Sequence, residues 1–237
     1  MSVRVDRPAA GVLRVALDRP AARNAVDRAT ADGLLNAFGL VEPDVGAVVL
    51  GSTHPGIFCA GADLKVPDAD RAVISDDLYE IVERILTLPV PVVAAIGGPA
   101  VGGGAHLAVA ADLRVAGPGA VLRVAGPGHG LAVAAWALPG IVGRARATDL
   151  CLTMREVNAP EALSIGLADR LADDPGATAV ALAAELAALD RGAAARVKRL
   201  ITEPLLPLLR AEREGNRTAW TGSIEGLAGW NGKGRAR

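Results

Sequence analysis

A chain of 237 residues with 51% hydrophobic and 22% charged side chains suits one α/β domain, and burying about 70–75% of its unfolded surface is enough to hold a core without staples. Whole-chain disorder is excluded on the same grounds. The 25 basic and 26 acidic side chains leave a formal net charge of -1, which removes the electrostatic case for nucleic acid as a partner.

The N-terminus carries charges at Arg4, Asp6 and Arg7 where a secretory signal needs an apolar run, so a cytoplasmic protein is expected. A first strand is predicted over 11–17, closed by the turn Asp18-Arg19-Pro20. From near Asp27 the residues Ala29, Leu34, Leu35, Phe38 and Val41 recur at helical spacing, and Glu42-Pro43-Asp44 ends that helix. Residues 47–50 form a short continuous apolar run, as in a strand covered on both faces. The loop 51–56 follows it.

A second helix is predicted over 76–88 from Leu78, Ile81, Val82, Ile85 and Leu86, with Pro89 and Pro91 closing it. Residues 92–96 read as another buried strand, followed by a glycine-rich turn through Gly102-Gly103-Gly104, a helix over 105–111 and a strand over 112–116. The uncharged stretch 85–111 is long enough to cross a bilayer. Its three prolines, five glycines and His106 favour a buried strand, turn and helix, so no membrane span is expected. Beyond Leu131 the chain reads as mostly helix. Alternating strands and helices imply a parallel sheet with helical cover. The division drawn is an α/β core over 1–172 and a helical region over 173–237.

The two cysteines, Cys59 and Cys151, stand in no CxxC pair and near no histidine at metal-ligand spacing, so neither a disulfide nor a metal is expected. Cys59 lacks a base beside it in sequence and is read as a small hydrophobe. Two turns made of small residues point to chemistry: Phe58-Cys59-Ala60-Gly61-Ala62-Asp63-Leu64, and Gly102-Gly103-Gly104 at the start of a helix. Small residues let a carbonyl reach backbone N–H groups, and two converging amides stabilise a developing oxyanion. The glycines alone would equally serve close helix–strand packing. No GxGxxG with a following acidic residue is present, which sets a dinucleotide site aside.

Taken in order, Leu17-Asp18-Arg19-Pro20, Asn24-Ala25, the 58–65 turn, Pro91 to Ile96 leading into Gly102-Gly103-Gly104, Asp112-Leu113, the stretch 138–147, Pro160-Glu161-Ala162 and Gly166-Leu167-Ala168-Asp169 strongly resemble the enoyl-CoA hydratase/isomerase (crotonase) family. The resemblance covers about residues 12–171. It implies a spiral of ββα units with a C-terminal helical region, assembled as a homotrimer or a dimer of trimers. It implies an acyl-CoA thioester as partner, with coenzyme A arriving as part of the substrate and no resident cofactor. The thioester carbonyl would sit between the N–H groups of Ala62 and Gly103. Ala60, Asp63 and Leu64 would lie along the adenine of CoA and Ala22 or Arg23 near the pantetheine and phosphate entrance, while Lys233 either reaches the CoA phosphate from a neighbouring subunit or is simply solvated.

The same resemblance places the two glutamates used by family hydratases at positions where this chain has His106 and Gly126. An altered reaction is therefore expected: hydration, isomerisation, decarboxylation or thioester hydrolysis run with different acid/base groups, or a non-catalytic acyl-CoA carrier or sensor. His106 is the replacement candidate, since imidazole titrates near neutrality; the other reading is a hydrogen bond from His106 to a buried carbonyl. His129 faces either the acyl pocket or solvent. Trp136, on a helix after Gly130, either walls the pocket or packs in the core. His54 reads as a surface residue, and Arg123 either pairs with an acidic group or lies on a strand edge.

Overall fold

In a computed structural model, which describes residues 2–220 and 222–223, the chain forms a six-stranded sheet and a three-stranded sheet with helices on both faces of the larger one. The main sheet runs β1 (Val3–Ala9), β2 (Val12–Leu17), β3 (Ala47–Ser52), β4 (Val92–Ile96), β6 (Leu113–Ala116) and β9 (Arg170–Leu171) in that spatial order. Only β1 is antiparallel to its neighbour; β2 to β9 are parallel. The small sheet orders β5 (Ala100–Val101), β7 (Val121–Arg123) and β8 (Val157–Asn158).

Side chains alternate between the two faces of the main sheet. Leu13, Val15, Val48, Leu50, Val92, Ala94 and Ile96 enter the larger core, which receives α1 (Arg28–Phe38), α2 (Asp68–Thr87) and α3 (Gly103–Ala110). Val12, Ala47, Val49, Val93, Ala95 and Val115 point the other way, against Ala179, Leu182 and Ala183 of α7 (Pro175–Ala187). Burial on both faces is why β3 and β4 read as continuous apolar runs rather than alternating ones. A strand of the main sheet followed by one of the small sheet occurs twice, as β4 and β5 before α3 and as β6 and β7 after it. This is the expected spiral of ββα units. The chain then continues through α4 (Leu138–Val142), α5 (Arg144–Thr153), α6 (Ala159–Ser164), α7, α8 (Arg191–Thr202) and α9 (Leu206–Ala219).

Three expectations need correction. The N-terminal stretch is a strand, β1, because it hairpins onto β2 and needs no apolar face there: its central residues are exposed, and its charges pair, Arg4 with Asp18 and Arg14 with Asp6. Helix α2 begins at Asp68 rather than near 76; acidic Asp68 and Asp70 suit the positive end of a helix, although they break the apolar period. Trp136 lies in the turn preceding α4, not on a helix. The stretch 85–111 folds as the end of α2, then β4, β5 and α3, and among the described residues no helix is long and apolar enough to cross a membrane.

Candidate functional site

The segment after β3 and the start of α3 are tied into one backbone platform. Isolated parallel bridges join Val26 to Ala62 and Cys59 to Ala100. Cys59 N–H donates to Pro99 O (3.0 Å), Val101 N–H to Cys59 O (2.9 Å), Ala60 N–H to Arg23 O (3.1 Å), and Asp63 N–H to Val26 O (2.8 Å). Asn24 locks the same region: fully buried, its amide donates to Ser52 Oγ (2.8 Å) and Phe58 O (2.9 Å) while its Oδ1 accepts from Arg19 N–H. Cys59 is part of this scaffold, buried with its thiol on Asn24 O at 3.1 Å, and burial pushes the thiol up to about 12, so it stays protonated.

The amides of Ala62 and Gly103 are left over. Among the described residues, neither Ala62 N–H nor Gly103 N–H donates to any protein acceptor; Gly103 opens α3, where N–H groups have no intrahelical partner. The two lie side by side, since a Cβ built on Gly103 would stand 3.4 Å from Ala62 N. The approach demands glycine twice. Gly61 has φ +91°, and a methyl there would stand 2.8 Å from Val101 O; a methyl on Gly104 would run into the Cys59 carbonyl.

These amides border a solvent-open cleft, also lined by Ala60, Leu64, Leu78, Tyr79, His106, Gly126, His129, Leu131, Val133 and Trp220. No Asp or Glu is among the described lining residues. Ala60, Ala62, Leu64, Gly103, His106 and His129 thus share one cavity, and His129 faces it from the 3-10 turn Pro127–His129. Ala22 and Arg23 stand outside it, behind Ala60; Arg23 is exposed and in left-handed backbone geometry (φ 53°). The Asp63 side chain is turned to structure, taking an ion pair from Arg19 (2.8 Å) and the N–H of Lys65 (2.9 Å). Burial alone would raise its pKa, but these two partners hold the carboxyl below its ordinary value. At Gly126, a Cβ would stand 2.6 Å from Leu131 O and 2.7 Å from Val133 Cγ2, so no longer side chain fits without moving that segment. His54 is exposed. Arg123 is buried and donates to Met154 O. Lys233 lies outside the described residues.

His106 has a partner of a different kind from the carbonyl weighed in the sequence. Its Nε2 accepts from the indole N–H of Trp136 at 2.7 Å, and Tyr79 meets its ring edge-on at 4.9 Å. Burial drives the imidazole down to about 3, so the ring is neutral near pH 7 and its titration leaves the range that made it attractive as an acid/base. Trp136 itself is buried and does not line the cleft.

The residue sequence reasoning missed is Glu212. Half-buried on α9, it accepts from Tyr79 Oη (2.7 Å), Ala134 N–H (3.0 Å) and the backbone N–H of Trp136 (3.0 Å), and burial raises its pKa against those three bonds. Asn216, one turn on, donates to Tyr79 Oη at 2.7 Å. A signal existed: Leu209, Glu212 and Asn216 share one helical face, and Leu209 and Asn216 are both buried, yet polar residues at those spacings are usually a solvated face.

The family model for enoyl-CoA hydratase/isomerase matches residues 7–225. An enoyl-CoA isomerase/hydratase of Mycosarcoma maydis, fer4, is 36% identical over 196 residues, covering 75% of this chain and 70% of that one. Among solved structures, an enoyl-CoA hydratase/isomerase from Mycobacterium paratuberculosis superposes with a TM-score of 0.86 at 27% identity, covering 96% of each chain. A monofunctional enoyl-CoA isomerase from M. smegmatis gives 0.74 at 31% identity over 86% of this chain and 93% of that one. With the ββα spiral and the platform of small residues already in place, these likenesses establish that the chain belongs to the enoyl-CoA hydratase/isomerase family and has the crotonase fold.

Proposed function

We propose that this protein binds an acyl-CoA thioester in the cleft, with the carbonyl oxygen held between the amides of Ala62 and Gly103. The observation that carries the reading is the pair of adjacent N–H groups, neither with a protein acceptor among the described residues, brought together by a platform of small residues. Such fixed donors stabilise a developing enolate or tetrahedral anion, each worth roughly 3–4 kcal/mol in comparable oxyanion holes. The mainly apolar wall from Leu78 to Val133 suits an acyl chain. Ala60, Asp63 and Leu64 would run along the CoA adenine through their backbone, with Ala22 and Arg23 at the entrance.

The reaction departs from two-carboxylate hydration, because the lining holds His106 and Gly126 where the family resemblance implies glutamates. Of the two histidines, His129 is the better proton carrier. It is half-buried on the cleft wall, its pKa lowered by burial and by Arg123, whereas the lone pair of His106 is occupied by Trp136. Isomerisation, which moves a proton without adding water, fits this equipment better than hydration. The lack of a carboxylate in the described lining favours a second reading, a non-catalytic acyl-CoA carrier or sensor.

Mass spectrometry of the purified protein with short- to long-chain trans-2-enoyl-CoA thioesters decides between them, scoring gain of water, double-bond migration and free CoA. Conversion establishes an enzyme. Thioester retained unchanged establishes the carrier, and absence of both conversion and retention overturns the site.

A further inference from the structure

We propose that Trp136 is a positioning residue that sets which nitrogen of His106 carries the proton, so that His106 offers its Nδ1–H to the thioester as a third hydrogen-bond donor beside Ala62 and Gly103. The inference rests on the acyl-CoA reading of the cleft.

An indole N–H donates and never accepts. With Trp136 Nε1 at 2.7 Å from His106 Nε2, that imidazole nitrogen must present its lone pair, and the ring proton belongs on Nδ1. Nδ1 has no partner among the described residues, yet the one fully buried side-chain oxygen or nitrogen they contain that makes no hydrogen bond is Asp77 Oδ2, which is ion-paired with Arg28. Nδ1 therefore reaches accessible space, and the space that His106 lines is the cleft. His106 stands one turn after Gly103 in α3, and helical side chains lean back over the preceding turn, which brings the ring to the side of the free amides.

The arrangement is held from behind. The backbone N–H groups of Trp136 and Ala134 both end on Glu212, and Ala134 is kept in left-handed geometry (φ 61°). The titratable groups around the imidazole are Tyr79, edge-on to it, and Glu212, behind both Tyr79 and Trp136, with Arg71 and His129 on the walls of the same cleft. Protonating Nε2 would set two donors against each other, so the ring cannot become an imidazolium without breaking its bond to Trp136. The cleft thus gains a donor that does not switch with pH.

The test uses full-length protein labelled with [15N]histidine, the Trp136→Phe variant, and crotonyl-CoA as probe. Wild type is expected to show a pyrrole-type Nδ1 and a pyridine-type Nε2 for His106, unchanged from pH 5 to 8. Trp136→Phe should move both nitrogens toward averaged values and raise the Kd for crotonyl-CoA roughly 3–10-fold, the equivalent of one hydrogen bond. A wild-type proton on Nε2, titration within that range, or an unchanged nitrogen pattern in the variant overturns the proposal. A shifted pattern with unchanged Kd overturns the donor role. If Trp136→Phe does not fold, the wild-type nitrogen shifts and the presence or absence of a cross-relaxation contact from the indole proton to the His106 ring decide it. Failure of wild type to bind crotonyl-CoA overturns the cleft reading and the donor's target, while the nitrogen shifts still decide whether Trp136 governs the tautomer.

Discussion

His106 carries an energetic consequence apart from any chemistry. Its ordinary value of 6.5 falls to about 3 on burial, so between those pH values the unfolded chain binds a proton there that the folded chain does not. The stability tied to the neutral ring is fully present above pH 6.5 and is lost at about 1.4 kcal/mol per pH unit as the solution is acidified. Urea unfolding of wild type and His106→Gln at pH 7 and pH 5 isolates the effect. The wild type should lose about 2 kcal/mol more than the variant on going to pH 5; equal losses would place a solvated, ordinary imidazole in the fold. Sequence pattern identified the position but not its behaviour, because titration depends on what surrounds a side chain, and the surroundings of His106 come from α2 and the turn before α4.

At the scale of elements, the buried parallel strands were legible because both faces are covered and every residue is apolar. The strands β5, β7, β8 and β9 were not. Each has two or three residues, too few for a period, and exists because a distant segment supplies its partner. The helix α8 is stitched to the core by one buried amine: Lys198 Nζ donates to Ile85 O (2.8 Å) and Val90 O (3.0 Å) and pairs with Asp112 at 2.8 Å. Burial lowers its pKa, while Asp112 pulls it back. Lys198→Ala would leave two carbonyls and a carboxylate short of a partner, and a loss of about 3–5 kcal/mol in urea unfolding is expected. A loss below about 1 kcal/mol would mean that water replaces the amine freely.

For the whole molecule, the expected particle is the homotrimer or dimer of trimers that the family resemblance implies. On α8, Val197, Leu200 and Ile201 are 58, 69 and 65% exposed and share one helical face, an apolar surface of the kind that associates. Size-exclusion chromatography with light scattering should give three or six chains, and Leu200→Glu with Ile201→Glu should reduce that number if α8 takes part. A monomeric wild type would refute the expectation.

Read alone, the amino-acid order determined the α/β class, the ordered small-residue turns, and through them the family and the candidate positions Ala62, Gly103, His106 and His129. These are local properties: apolar period, proline and glycine punctuation, and the need for small residues where backbones meet. Tertiary structure alone decided that the Ala62 and Gly103 amides find no acceptor among the described residues, that Gly126 has no room for a longer side chain, and that Trp136 and Glu212 stand behind His106. The physical reason is that hydrogen-bond satisfaction and burial are sums over neighbours far apart in the chain, and no window along the sequence contains them.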